Sequence, residues 1–492
     1  MKARILDDAV KGLFSNPDAP WASIRISRYL YIKKKIKHSM NNEITANNAA
    51  LEGPIFATFI KYMLPSLLGL IAMTSGSLVD GMFIGNYEGA TALAAVNLII
   101  PITTLLFGVS MMVSIGGAVR GGKYLGEKNT TAASAIFSKT LIFMLVYGVI
   151  VIALGLVFED KIFASLGADE TLFPVMSEYY RIIFPFLFFQ FIVIQLYFFI
   201  RLDGFPNIAA TALTVGALGN IVMDYLFIAV FDWGLAGAAL ATGLSQVMPL
   251  VVMLYYFVNP KRKIFFSFRQ TYWREVFQAA YNGISEFINE VSGAIIGFIF
   301  NWMLIQRAGV NGVAAITLVN YLLFVGFMAY FAVSDSIQVI ISQNFGGRNP
   351  QRIRAFLRTA GTMIAAISAV IIGLLVVGSE SMIGLFIDIE RDRDTLVLAL
   401  EFVTYVWPVF IFAGFTMLIS GYLTAVHLPL QSAIVAICRS LIMPAGLLTL
   451  FYMLLTDYRF VAAISVAEAI SFVIALILYL YHTPTRAMRE RD

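Results

Sequence analysis

The chain has 492 residues, of which 59% are hydrophobic and only 13% are charged, with a mean hydropathy of +0.82. Soluble domains carry about 25% charged residues, so the composition excludes an ordinary water-soluble protein. The net charge is +4, and the single cysteine, Cys438, excludes both an intrachain disulfide and a cysteine-based metal site.

The first 55 residues are polar and cationic and contain no apolar segment long enough to cross a bilayer. Their stretch IRISRYLYIKKKIK predicts a short amphipathic helix on the inner membrane surface, although a dispensable tail is the alternative. A conventional start at Met40 would make residues 1–39 an upstream extension. We expect no cleaved signal peptide, because no apolar segment here leads to a small-residue cleavage site.

Twelve apolar segments follow, each of roughly 20 residues or more and able to cross about 30 Å of hydrocarbon as a helix. They lie near 57–82, 91–117, 132–158, 178–200, 206–230, 235–258, 277–305, 312–342, 355–378, 396–422, 429–453 and 459–482. The longest polar break separates six spans from six. We therefore expect an all-α polytopic membrane protein with a tail (1–55), an N-lobe (56–258), a linker (259–275), a C-lobe (276–482) and a second tail (483–492).

Lysine and arginine collect on one side of this predicted bundle. All but six of the 34 Lys and Arg fall on the side of the N-terminus, and the exceptions are Lys161, Arg181, Arg307, Arg391, Arg393 and Arg459. Because positive residues favour the cytoplasmic side, we expect a multi-pass inner-membrane protein with both termini in the cytoplasm.

Three segments of the first half recur in the second. GATALAAVNL (89–98) returns as GVNGVAAITL (309–318), YLGEKN (124–129) as NFGGRN (344–349), and EYYRIIFP (178–185) as EFVTYVWP (401–408). Six spans separate the copies, so the two halves have parallel orientation in the membrane. Duplicated bundles of this kind place a substrate cavity between their lobes, which predicts a transporter.

Acidic residues within the predicted N-lobe spans are the first candidate site. Asn220 and Asp224 are four residues apart and project from one face of the fifth span, and Asp80 lies near the outer end of the first. With the hydroxyl of Thr242, these side chains could form an oxygen cage for Na⁺, or the two acids could hold and release a proton. The alternative for Asp80 is an interfacial residue at a helix end.

The C-lobe holds a second set of acids. Glu286 and Glu290 form another i, i+4 pair, and Asp335 lies in the middle of the eighth span, where it should face a cavity or a helix partner. They are candidates for a substrate or proton site. Glu286 could instead be a first-turn residue favoured by the helix dipole, and Glu468 is expected to pair with Arg439.

Proline inside a span predicts a kink or a hinge. Pro65 precedes Asp80 by fifteen residues in the first span, so a bend there could move the acid. Nucleotide hydrolysis and hydrolase chemistry are not expected, since the chain has no GxxxxGK[ST], HExxH or GxSxG motif and only three histidines.

At this point the residues resemble a known family. The motifs of the first half are GMFIGNYEGATALAAVN, RGGKYLGEKN, RLDGFPN, NIVMD and GLAGAALATGLSQ, and those of the second half are NGISEF, IISQNFGG and CRSLIMP. With these motifs, the chain is similar to the multidrug and toxic compound extrusion (MATE) transporters from about residue 55 to 482. The resemblance implies two six-helix lobes around a cleft and export of organic cations in exchange for H⁺ or Na⁺. In the branch with an N-lobe acidic site, the pattern falls on Pro65, Asp80, Asn220, Asp224 and Thr242. Asp335 departs from that branch, whose members usually have small or amide residues there, and Glu286 and Glu290 do not match the seventh-span Glu of the other bacterial branch.

We thus expect a drug–cation antiporter without a cofactor, not an enzyme. Its partners would be small organic cations and membrane lipids, with no nucleic acid, and we expect a monomer. A lipid-linked oligosaccharide flippase of the same superfamily is the alternative. A diphosphate cargo would need arginine and lysine in the cleft, and the spans contain almost no basic residue away from their ends. A membrane-embedded enzyme and a non-transporting scaffold are more distant alternatives.

Overall fold

In a computed structural model, which describes residues 49–169, 171–267, 272–384 and 392–489, the chain folds as a bundle of membrane-spanning helices. Eleven described helices are long and apolar enough to cross a membrane, and a bent pair of segments makes a twelfth. In chain order they are α1 (Ile55–Glu88), α2 (Thr91–Gly126), α3 (Thr130–Val157), α4 (Leu172–Leu202), α5 (Pro206–Val230), α6 (Gly234–Val258), α7 (Ile284–Gly309), α8 (Asn311–Gly346), α9 (Pro350–Ile383), α10 (Arg393–Val406 with Val409–Ala425), α11 (Pro429–Leu454) and α12 (Tyr458–Tyr481). The predicted all-α fold with twelve spans is confirmed.

Breaks in the helices occur where the sequence permits them. Gly309 adopts φ 60° and separates α7 from α8, a conformation that costs glycine little. The two segments of α10 meet at 51° next to Pro408, which lacks the backbone N–H of a continuing helix. Wide π-helical turns end α1 at Ile84–Glu88 and α5 at Tyr225–Val230.

A short amphipathic helix, Arg274–Asn282, precedes α7. Val276 and Ala279 on one of its faces are buried, whereas Phe277 and Tyr281 on the other are exposed. The predicted start of the seventh span near residue 277 is therefore wrong, since the spanning helix begins at Ile284 after Gly283. The apolar residues of 277–283 belong to an interfacial element rather than to the span.

The repeated motifs form the same turn in both halves. Lys128 (φ 61°) and Arg348 (φ 53°) are left-handed at equivalent positions after α2 and α8. The next residue caps the following helix: the Ala132 N–H donates to the Asn129 side chain at 3.0 Å, and the Arg352 N–H donates to that of Asn349 at 3.1 Å. The sequence repeat is thus a structural repeat.

The two lobes, α1–α6 and α7–α12, meet on one side of the bundle. We call this side the terminal face; the connectors 127–129, 203–205, 347–349 and 426–428 lie there, together with helix Pro484–Arg489. There α2 crosses α8 so closely that a Cβ on Gly126 would lie 2.0 Å from the Gln343 carbonyl oxygen, and one on Gly346 would lie 1.9 Å from that of Lys123. The lobes are therefore closed against each other at the terminal face.

The predicted amphipathic helix and the start at Met40 fall within residues 1–48, which lie outside the described residues.

Candidate transport site

The N-lobe acids lie where α1 packs against α5. Gly76 of α1 allows the approach, because a Cβ there would lie 3.4 Å from the side-chain oxygen of Asn220. One turn further along α1, the Asp80 carboxylate lies within hydrogen-bonding reach of Asp224. Asp224 is fully buried, and neither of its carboxylate oxygens has a donor among the described residues. The structure thus brings together two acids from different helices, with no basic partner in the part of the chain that it describes.

The third helix of this site is α6. The Thr242 hydroxyl donates to Asp80 Oδ1 at 3.1 Å. The buried hydroxyl of Tyr179 on α4 lies within hydrogen-bonding reach of Thr242. All four predicted residues, Asp80, Asn220, Asp224 and Thr242, therefore lie together, and Tyr179 is an addition that the sequence analysis missed. Tyr179 lies in the repeated EYYRIIFP segment, but nothing in that segment indicates contact with α6.

Asp80 and Thr242 open into a cavity of about 360 Å³ within the N-lobe, which we call the N-lobe cleft. It lies in the half of the bundle away from the terminal face. Several of its polar lining residues were not predicted: Asn97, Thr103, Thr104, Gln190 and Gln246. Gln246 follows Thr242 by one helical turn, so the i, i+4 spacing that identified Asn220 and Asp224 would also have indicated this amide.

A second cavity of about 180 Å³, the central cavity, lies between the lobes. Its wall is mostly apolar and is rich in methionine and aromatic side chains: Met73, Phe107, Met111, Phe198, Met328, Phe331 and Met417. Phe107 lines the N-lobe cleft as well, so one aromatic ring is common to the two cavities.

The three candidate acids of the C-lobe all line the central cavity. Glu286 lies in the first turn of α7, the position that the helix-dipole alternative predicts. Its side chain nevertheless faces the cavity and accepts a 2.9 Å hydrogen bond from Gln338. Glu290 has no hydrogen bond or ion pair within the described part of the chain. Asp335 both lines the cavity and has a helix partner, Arg201 on α4. The C-lobe acids thus form a group distinct from the Asp80–Asp224 pair.

Two arginines of the spans lie in or beside the central cavity, and Arg439 is the one of them that lies away from a helix end, where almost no basic residue is expected. Arg439, inside α11, lines the central cavity and pairs with Glu468 at 3.0 Å, which confirms the predicted partnership. Arg201, at the end of α4, is buried to 1% exposure. Neither is a free cation, because each already faces a carboxylate.

Pro65 lies inside α1, which continues as a helix through it. The adjacent Ser66 hydroxyl is 3.5 Å from that of Ser336 on α8. The predicted hinge therefore lies beside a contact between the lobes, and its role in bending stays a prediction.

Comparison with known proteins identifies relatives of this chain. The family model of MatE matches the chain twice, at residues 65–226 and 287–448, once in each lobe. The multidrug export protein MepA of Staphylococcus aureus is 24% identical over 402 residues, which are 80% of this chain and 86% of MepA. The probable multidrug resistance protein YoeA of Bacillus subtilis is 25% identical over 363 residues, covering 70% of this chain and 76% of YoeA.

Solved structures share the fold. A multidrug resistance MATE family transporter of the MOP superfamily in an outward-facing conformation superposes with a TM-score of 0.82 at 21% identity, covering 91% of this chain and 99% of its own. A MOP superfamily transporter from Pyrococcus furiosus, described for the reverse polarity of its binding pocket, gives 0.81 at 22% identity with the same coverage. Because the family model covers most of both lobes, the chain belongs to the MatE family, the MATE transporters, and is not an enzyme.

Proposed function

We propose that this transporter exports lipophilic organic cations, including drugs, in exchange for H⁺ or Na⁺ that binds at Asp80, Asn220, Asp224 and Thr242. The observation that carries the proposal is the Asp80–Asp224 pair. Two carboxylates within hydrogen-bonding reach repel each other unless a proton or a cation lies between them. The pair opens to a cleft through Asp80 and has no basic neighbour among the described residues, so a mobile cation would supply the missing positive charge.

Both coupling ions suit the oxygens present. A single proton would convert the carboxylate pair into a hydrogen-bonded pair. Hard cations take oxygen ligands, and carboxylate, amide and hydroxyl oxygens from Asp224, Asn220 and Thr242 supply them. The experiment below distinguishes the two ions.

The central cavity supports a cationic, lipophilic cargo. Aromatic faces attract organic cations, and methionine adapts to cargoes of different shape. Among the described residues, four carboxylates in and around the cavity face two guanidiniums, so the charge balance there is negative. The names of the relatives MepA and YoeA, a multidrug export protein and a probable multidrug resistance protein, agree with such a cargo.

The orientation follows from charge. Lysine and arginine concentrate at the terminal face, which we assign to the cytoplasm together with both termini. The structure, closed at that face, then corresponds to a state in which cargo leaves to the outside. Ion binding at Asp80 and bending of α1 near Pro65 would start the return, with the protein acting as a monomer.

The lipid-linked oligosaccharide flippase remains the weaker alternative. Arg439 is the one basic side chain that lines the central cavity in the described part of the chain, and Glu468 neutralises it. A diphosphate would therefore meet more negative than positive charge.

Ethidium efflux from energised, drug-sensitive cells tests the proposal. We expect export by wild-type protein and loss of export in Asp80→Asn and Asp224→Asn at equal expression, and a requirement for Na⁺ would identify Na⁺ as the coupling ion. Asp232→Asn is the matched control, because this exposed residue follows α5 outside the site. Export by either site variant at the wild-type rate would rule out coupling through these acids.

A further inference from the structure

One ion pair joins the two lobes beside the central cavity. Arg201 Nη1 donates to Asp335 Oδ2 at 2.5 Å, and the Tyr197 hydroxyl donates to the same oxygen at 3.4 Å. The guanidinium also lies 4.8 Å from the centre of the Tyr197 ring. Asp335 belongs to α8 of the C-lobe and Arg201 to α4 of the N-lobe. The pair therefore exists only while the lobes are together.

The two partners differ in access. Asp335 lines the central cavity and keeps 15% of its side chain exposed, whereas Arg201 is 1% exposed. Arg201 lies at the end of α4 next to the terminal face and is not among the residues that line the cavity. Opening the terminal face would separate them and leave Asp335 as a free carboxylate in the cavity.

The repeat shows that the fold does not require this pair. The equivalent of Asp335, 220 residues earlier, is Ile115, and the equivalent of Arg201, 223 residues later, is Thr424. Thr424 makes neutral hydrogen bonds instead, at 3.2 Å to Ser285 and 2.7 Å to Ser432. The two equivalent positions in the other half are thus uncharged, whereas Asp335 and Arg201 carry opposite charges.

The pair is also incomplete. Nε and Nη2 of Arg201 and Oδ1 of Asp335 have no hydrogen-bond partner among the described residues. A single N–H···O contact is weaker than the two-bond contact that arginine and carboxylate can form. At the same time, a buried charge without any partner is strongly unfavourable. Such a pair can be exchanged for another ion pair, but neither of its members is stable alone.

We propose that Asp335 exchanges partners during transport: it holds the cargo cation while the terminal face is open, and Arg201 while it is closed. Closure would bring Arg201 to the carboxylate and displace the cargo towards the exit. The exchange keeps Asp335 paired in both states and makes the cavity specific for cations. This inference rests on the proposed export of lipophilic cations and adds the step that couples cargo release to closure.

The first test follows the distance between the lobes without requiring transport. Thr131 and Gln351 are equivalent, exposed residues at the starts of α3 and α9. Spin labels there, in a Cys438→Ser background in lipid nanodiscs, report opening of the terminal face. We expect Arg201→Gln and Asp335→Asn each to raise the population with the longer label distance by about tenfold or more, relative to the population with the short distance. The swap Arg201→Asp with Asp335→Arg should restore the short distance.

Arg181→Gln is the matched control, because Arg181 pairs with the buried Glu159 at 2.9 Å within the N-lobe alone. It should leave the label distances unchanged. Thermal melting of each variant checks folding, and Arg201→Lys, which keeps the charge, should retain most of the short-distance population.

The second test measures equilibrium binding of tetraphenylphosphonium, a lipophilic cation. Removing the competitor in Arg201→Gln should tighten binding by about tenfold, whereas Asp335→Asn should weaken it by a similar factor. The swapped pair should close normally, yet bind the probe more weakly than Asp335→Asn and export no ethidium.

Two results would overturn the inference while the proposed function stands. In the first, the wild-type protein exports ethidium, but Arg201→Gln and Asp335→Asn show the same label distances as the control variant. The other is weakened probe binding in Arg201→Gln equal to that in Asp335→Asn. If wild-type protein neither binds the probe nor exports ethidium, the proposed function itself fails, and the partner exchange fails with it.

Discussion

At the scale of single residues, the Thr242 hydroxyl is the direct link between α6 and the acid pair. It donates to Asp80 at 3.1 Å, and a hydrogen bond to a charged group contributes about 1.5–3 kcal/mol. We expect Thr242→Val to lower the apparent affinity for the coupling ion by roughly tenfold, at the lower end of that range, and to slow ethidium efflux. The effect is measured in proteoliposomes as the dependence of the efflux rate on the concentration of the coupling ion.

Thr242→Ser is the control, since it keeps the hydroxyl and should remain within about twofold of wild type. Equal loss in Thr242→Ser and Thr242→Val would show that the threonine methyl group, rather than the hydroxyl, matters at this position.

Glu290 is the cavity acid that has no ion-pair or hydrogen-bond partner among the described residues. Its carboxylate is therefore available to a cationic cargo, and Glu290→Gln should raise the KM for ethidium by about fivefold to tenfold, with a smaller change in maximal rate. Efflux assays with a cationic dye and an uncharged dye measure the difference. An equal effect on both dyes would contradict a charge-based role.

Sequence reasoning is most direct at this scale for residues on one helix. The spacing of Asn220 and Asp224 placed them on one face, and the structure shows both side chains buried there. The partner of Asp335, in contrast, lies 134 residues away on another helix. No local pattern identifies Arg201, because its position at a helix end also suits a solvent-exposed cation at a membrane surface.

At the scale of helices, the terminal face is closed where α2 crosses α8. A side chain on Gly126 would collide with the Gln343 carbonyl, and overpacking of a close contact costs about 1–3 kcal/mol. We expect Gly126→Val to shift the Thr131–Gln351 label distances towards the open state and to reduce ethidium efflux.

Gly293→Val is the corresponding control, because a Cβ at that glycine of α7 meets nothing within 4 Å. It should leave both readouts near wild type. A Gly126→Val protein with the wild-type distance distribution would show that this crossing does not determine closure.

Helix existence could be predicted from the sequence far better than helix ends. Apolar length alone identified all twelve spans, because the bilayer sets one minimum length for every one of them. The seventh span was placed too early, since the apolar face of Arg274–Asn282 has the same composition as a span end. Pro408 marked a kink in α10, but the angle of 51° depends on packing against neighbouring helices.

At the scale of the whole molecule, the two halves share a fold and differ in chemistry. The repeat reproduces turns and caps, whereas the uncompensated acid pair lies in the N-lobe and the larger group of cavity acids in the C-lobe. In the proposed antiport, coupling therefore has to pass between unlike sites. Helix α1 connects them physically, because it carries Asp80 near one end and contacts Ser336 of the C-lobe through Ser66.

Pro65 is the position on α1 where ion binding and lobe movement can be separated experimentally. It lies next to Ser66 and fifteen residues from Asp80, a distance of about 22 Å along a helix. If α1 transmits movement by bending at Pro65, Pro65→Ala should straighten the helix without changing either site. We expect ion affinity and tetraphenylphosphonium affinity within about twofold of wild type, while the rate of ethidium efflux falls by about tenfold or more.

Pro249→Ala provides the comparison, since Pro249 lies inside α6 of the same lobe and lines neither cavity. It tests whether loss of any helix proline slows export. A Pro65→Ala protein that exports at the wild-type rate would place the coupling movement in rigid rotation of the lobes instead. In that case the closure of α2 on α8 would have to carry the signal from the acid pair to the cavity, and Gly126 rather than Pro65 would be the residue most sensitive to substitution.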